Sequence, residues 1–154
     1  MGQGALEPES TLIRFPDWPS RLQAFLLEHK DEPFHYGQWD CFLFVCGAIC
    51  AMTGVDPAAP FRGTYSSRVA CRRAMIAYCG SASVRAVAEA LFATDYGMPE
   101  SATLRARRGD VALIQRSRDF SLGLIALNGR ELTVAFSRGL GKAPLSAAVR
   151  AWHV

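Results

Sequence analysis

The chain has 154 residues, half of them hydrophobic and a fifth charged, with a formal net charge of +3. That length suits one domain with a core of its own. The charge excess is local, with one cluster at Arg105, Arg107 and Arg108 and another at Arg68, Arg72 and Arg73. No nucleic-acid-binding motif or aromatic platform accompanies them, so both read as solvated faces and no nucleic-acid partner is expected. The opening MGQGALEPES has no basic region and no apolar run, which predicts no signal peptide, and it lacks the Ser or Thr of a myristoylation site. The longest apolar stretch, residues 41–52, is too short for a transmembrane segment.

Residues 1–13 are predicted to be a flexible or loosely docked leader to a single domain over 14–154. In Phe15-Pro-Asp-Trp-Pro, Asp17 is a predicted N-cap and Pro19 falls in the first turn. Leu22, Phe25, Leu26 and His29 then recur at helical spacing up to a stop at Pro33. The loop Phe34-His-Tyr-Gly-Gln-Trp-Asp40 leads into CFLFVCGAICAMTG, which is apolar on every side and so predicts a buried helix, with Gly54 as its C-terminal cap. After an ordered connection at residues 61–65, a third helix is expected over 67–78, closed by Gly80. A fourth starts near Ser83, with Val84, Val87, Ala88 and Leu91 on one face. Residues 96–106 read as a loop.

The last third changes character. Residues 110–114, 122–127 and 131–136 read as strands, and Asn128-Gly129 signals a tight hairpin between the last two. Residues 144–149 predict a short helical turn and 150–154 a closing strand. Helices first and strands second give an α+β fold, in which the helix from Cys41 packs across an antiparallel sheet formed after residue 109.

Five cysteines, Cys41, Cys46, Cys50, Cys71 and Cys79, make an odd count without a secretory signal, which argues against a disulfide framework. There is no CxxC pair, and on a helix Cys41 and Cys46 point about 140° apart, so neither a metal nor a cofactor is expected. Cys46 and Cys50 read as small buried hydrophobes. Cys41 differs, because in the first turn of a helix the unpaired N–H groups and the dipole favour a thiolate. A nucleophile results where a base stands nearby.

Phe34-His-Tyr-Gly37, then Asp40-Cys41 opening a helix, and later Arg108-Gly-Asp-Val111 opening a strand resemble the NlpC-type superfamily of papain-like cysteine peptidases. The resemblance implies that fold over residues 33–127, with Cys41 as nucleophile. In that superfamily the strand after the Gly-Asp strand begins with the catalytic histidine, as in His-Val-Gly-Ile. Here the position falls on Ser121-Leu-Gly-Leu124, so Ser121 stands in place of the histidine, and serine has no useful basicity at neutral pH. Phe42 occupies a position that is commonly serine. The third polar residue has only Glu131 and Thr133 as rough counterparts. His35 is the candidate rescue base, ahead of His29 and His153, and Asp40 is a candidate helix cap or orienter.

Trp18-Pro-Ser-Arg-Leu, Pro33-Phe, Tyr36-Gly with Asp40-Cys41, Thr53-Gly-Val-Asp, Gly109-Asp-Val, Leu122-Gly-Leu and Arg150-Ala-Trp-His-Val together resemble a small family of uncharacterised bacteriophage and prophage tail-operon proteins. The resemblance implies a tail-tip or baseplate component, made in the host cytoplasm and then carried in the virion tail. Its partners would be other tail-tip or baseplate proteins, with peptidoglycan as a further candidate. Three readings follow: a degenerate peptidase fold that works by binding; an active thiol hydrolase cutting peptidoglycan peptides during DNA entry; and a cytosolic thiol enzyme or acyltransferase unrelated to phage. Trp18 and Trp152 are candidate contact anchors, with plain core packing as the alternative.

Overall fold

The structure, a computed structural model, describes residues 12–154. Residues 1–11 of the expected leader lie outside the described residues. Leu12 is buried in the main core, and Arg14 reaches the Asp110 carboxylate at 2.9 Å.

The first helix, α1 (Trp18–Glu28), starts one residue after Asp17 as expected, but the Asp17 carboxylate caps nothing and instead pairs with Arg21 at 2.8 Å. It ends well before Pro33. His29 closes it, with its ring stacked on Trp39 at 4.5 Å and Nδ1 2.8 Å from Glu32, and these contacts turn the chain before the proline is reached.

Helix α2 (Cys41–Thr53) is the central element. Leu43, Phe44, Val45, Cys46, Ala48, Ile49 and Met52 have no exposed surface, which accounts for a sequence without a polar face. Gly54 ends it in the left-handed conformation, φ +81°. The helix packs on α1 and on the strands Phe120–Ile125 and Glu131–Phe136 of the sheet. At Gly47 a Cβ would come within 2.9 Å of the Phe25 ring, so glycine sets the α1–α2 approach.

Helix α3 (Arg68–Cys79) is capped by Ser67, whose hydroxyl accepts from the Ala70 N–H at 3.1 Å, and by Gly80. It has no fully buried residue. Helix α4 (Val84–Ala88) continues into a π-helical turn, Glu89–Asp95, with the Tyr96 N–H returning five residues to the Leu91 carbonyl at 3.0 Å. The wider turn lets the adjacent Leu91 and Phe92 both face the core.

Six antiparallel strands, β1 (Glu100–Ser101), β2 (Val111–Gln115), β3 (Phe120–Ile125), β4 (Glu131–Phe136), β5 (Gly139–Pro144) and β6 (Ala148–Trp152), form one sheet in the order β1-β6-β2-β3-β4-β5. The architecture is α+β, with α2 packed across the sheet as expected. The sheet does not begin after residue 109, however. The segment read as a loop, 96–106, contributes β1, held by an Arg150–Glu100 ion pair at 2.6 Å and by the His153 N–H on the Pro99 carbonyl at 2.8 Å. Such partners fifty residues away leave no local signal. The Asn128-Gly129 hairpin forms where expected but is longer than a two-residue turn. Gly129, φ +70°, returns its N–H to Ala126, and the Asn128 side chain accepts from Arg130.

Alternation along the strands fills two layers. Val111, Leu113, Leu122 and Leu124 join α2 in the main core, while Ala112, Ile114, Ile125, Leu132 and Val134 form a smaller cluster. Trp152 is fully buried against Phe92, which removes it as an exposed contact anchor. Trp18 is partly buried, with the Arg14 guanidinium 4.1 Å and that of Arg108 5.5 Å from its ring.

Candidate functional site

The site is built at the N-terminus of α2. Asp40 precedes Cys41 and is only 3% exposed. Its Oδ1 accepts from the Leu43 N–H at 2.9 Å, which caps the helix. Its Oδ2 accepts from the Gly37 N–H at 3.1 Å and the Tyr65 hydroxyl at 2.7 Å. The carboxylate therefore welds the aromatic loop, the helix start and the 61–65 connection together, and burial beside it pushes the Tyr65 phenol far up. At Gly37, φ +83°, the carbonyl accepts from Gly63 at 2.9 Å.

Cys41 is partly exposed and lines a cleft of about 1020 Å³. One wall is α3, presenting Arg68, Cys71, Arg72, Met75 and Tyr78. The opposite wall is the β2–β3 turn with Arg116, Arg118 and Asp119, and Phe136 and Ser137 follow from the end of β4. Ser121, 9% exposed, lines the same cleft as Cys41, and its side chain and the backbone of Leu122 lie near enough to the sulfur to act on its charge. These two groups and Arg116 favour the thiolate, yet burial first and the Asp40 carboxylate second push the Cys41 thiol up from its ordinary value. Cys71 is driven up to about 11, mainly by burial and the Asp40 charge.

All three histidines are among the described residues, and none lines the cleft. His35 is exposed, with Nδ1 3.0 Å from the Tyr36 carbonyl. His29 is stacked on Trp39, and His153 Nδ1 sits 2.9 Å from Asp110. Neither Glu131 nor Thr133 reaches the cleft; β4 enters it with Ala135, Phe136 and Ser137. Glu131 instead pairs with Asn128 at 3.0 Å and Lys142 at 3.3 Å.

The model of a domain of unknown function, DUF6950, matches residues 13–154. The chain belongs to the DUF6950 family. A comparison with curated proteins finds no significant match. In this DUF6950 chain no group of three or more His, Cys, Asp or Glu among the described residues is placed to hold a metal ion. Among those residues no single helix is long and apolar enough to cross a membrane.

Sequence reasoning reached Cys41, Asp40 and Ser121. It missed Tyr65, Arg116, Arg118 and Asp119, and it read Arg68 and Arg72 as a solvated face although both line the cleft. The one available signal was Arg116-Ser-Arg-Asp119, a charged turn between two apolar strands. The raised Cys41 thiol makes a testable pH profile. Iodoacetamide labelling of the Cys41 peptide, followed by mass spectrometry, is expected to be slow at pH 7 and to climb as pH rises through the alkaline range, because the protonated thiol does not react. A rate already level below pH 8 would show a depressed thiol instead.

Proposed function

We propose that the chain has an NlpC-like fold and serves as a catalytically degenerate binding component of a phage tail tip or baseplate. On this reading it is made in the host cytoplasm and carried in the virion tail, where it acts by contact with other tail proteins. One observation carries the non-catalytic part: the cleft holds Cys41 with Ser121 at its side and no imidazole. A thiol hydrolase needs a base to form the thiolate and an acid to protonate the leaving amine. Ser121 supplies neither at neutral pH, and losing such a group costs about a hundred- to ten-thousandfold in rate.

The NlpC-like part is supported by placement. Cys41 opens the central helix, Gly109-Asp110 leads into a strand, and Ser121 of the next strand lines the same cleft as Cys41, where the resemblance would put the histidine. The tail assignment rests on the motif resemblance alone. A second reading, a thiol hydrolase cleaving peptidoglycan peptides, draws on the Leu122 backbone and Arg116 beside the sulfur, both of which favour an anion there.

The test incubates purified protein and its Cys41→Ala variant with peptidoglycan and cross-linked muropeptides. No cleavage by either is expected, together with normal incorporation of Cys41→Ala into infectious tails. Cleavage by the wild type that the variant loses would establish the hydrolase.

A further inference from the structure

The cleft at Cys41 carries an uneven charge. Four arginines line it, Arg68 and Arg72 from α3 and Arg116 and Arg118 from the β2–β3 turn. The acidic lining residues are Asp40 and Asp119. Asp40 is sealed under three donors, leaving Asp119 as the exposed carboxylate of the lining, and among the described residues the only ion pair of Asp119 is a long one to Arg68 at 4.0 Å. Arg72 and Arg118 are exposed, and their side chains make no hydrogen bond or ion pair among the described residues. Guanidiniums on facing walls of a concave, partly apolar site concentrate positive potential between them.

The α3 wall is itself unfinished. Arg68, Cys71, Arg72, Met75 and Tyr78 fall at helical spacing on one face, and that face looks into the cleft. No residue of α3 is fully buried. Its inner face therefore lacks the cover that amphipathic helices normally find, and that face is mixed, with arginines beside Met75 and Tyr78.

We propose that the cleft is the docking site for an acidic, extended segment of a partner protein, with carboxylates paired to Arg72 and Arg118 and apolar side chains laid over Phe42, Met75 and Val84. The proposal rests on the binding reading above and names the chemistry of the partner. Arginine clusters recognise carboxylates through their forked donors. A nucleic acid fits less well. Among the cleft's aromatics, Phe34 and Tyr36 pack edge-on at 5.0 Å, Phe42 and Phe61 at 5.6 Å, and Phe61 and Tyr78 at 5.0 Å, while the ring of Phe136 already has the Arg116 guanidinium 5.3 Å from its centre, so few faces are left for stacked bases.

The test is fluorescence anisotropy of the full chain with a fluorescein-labelled peptide alternating glutamate and valine. A glutamine-for-glutamate peptide, an oligothymidylate and soluble muropeptides serve as comparisons. The glutamate peptide is expected to bind, and to weaken at least about tenfold with Arg72→Gln plus Arg118→Gln, with the glutamine peptide, and at high salt. Arg105→Gln, outside the cleft, leaves its binding unchanged. Circular dichroism confirms that the arginine variants fold. Equal binding of the glutamine peptide, indifference to the double variant, tighter binding of the oligothymidylate, or binding of muropeptides alone overturns the proposal. Mass spectrometry of the same mixtures separates it from the reading it rests on. Cleavage that depends on Cys41 defeats the non-catalytic reading, whereas intact peptides without arginine-dependent binding defeat only the acidic-segment proposal.

Discussion

Asp110→Ala is expected to lower the unfolding free energy by about 3–5 kcal/mol, the range for removing one partner of a buried charged network. Asp110 has no exposed surface. Its Oδ1 receives Arg14 at 2.9 Å, His153 at 2.9 Å and the Val154 N–H at 3.2 Å, and its Oδ2 receives the Arg107 N–H at 2.8 Å. Alanine strands these donors and leaves the Arg14 guanidinium, already lowered mainly by burial, without its counter-charge. Asp110→Asn should fall between, because it keeps one acceptor but turns an N–H₂ toward another donor. Urea unfolding followed by tryptophan fluorescence measures both. A loss under about 1 kcal/mol for the alanine variant would mean that water replaces the carboxylate and the network adds little.

Gly37→Ala should be nearly as costly, about 3 kcal/mol or more, for a steric reason. A Cβ on Gly37 would lie 1.6 Å from the Tyr65 carbonyl oxygen, and its φ of +83° already disfavours any side chain. The backbone cannot yield without disturbing the Gly63–Gly37 hydrogen bond and the Tyr65–Asp40 contact. Gly63→Ala is the control. Its φ is +74°, but nothing lies within 4 Å of the added Cβ, so only backbone strain of about 1–2 kcal/mol remains. Equal losses for the two variants would show that conformation, rather than the clash, governs Gly37.

These two residues illustrate what a single sequence discloses. Asp110 and Gly37 stand out as members of motifs, yet the reason each is needed lies in residues far along the chain. The central helix was readable because a run from Cys41 to Thr53 without a polar face has one stable home, and because Asp40 and Gly54 are local stop signals. Strands β2 and β4 were readable from apolar runs bounded by turns. Strand β5, Gly-Leu-Gly-Lys-Ala-Pro, was not: its place depends on register with β4, from Phe136↔Gly139 to Glu131↔Pro144, rather than on its own pattern. The π-helical turn was likewise invisible, since its cause is the joint burial of Leu91 and Phe92. At the site, the helix-opening Asp-Cys and the position of Ser121 came from motif spacing. The arginine-lined walls did not, because α3 and the β2–β3 turn meet only in three dimensions.

The outer edge of β5 limits how this sheet can meet other chains. Leu140 faces outward and gives its N–H to the Lys30 carbonyl at 2.8 Å, and a Cβ on neighbouring Gly139 would run into that same carbonyl at 2.4 Å. By strand alternation Lys142 and Pro144 are the next outward positions. Proline has no N–H to offer, which leaves Lys142, whose charge is costly to enclose in a continuous sheet. The opposite edge, β1, is two residues long. Among the described residues, neither edge strand itself provides a long row of free amides for a foreign strand. At these two edges, pairing with a strand of another chain is therefore disfavoured.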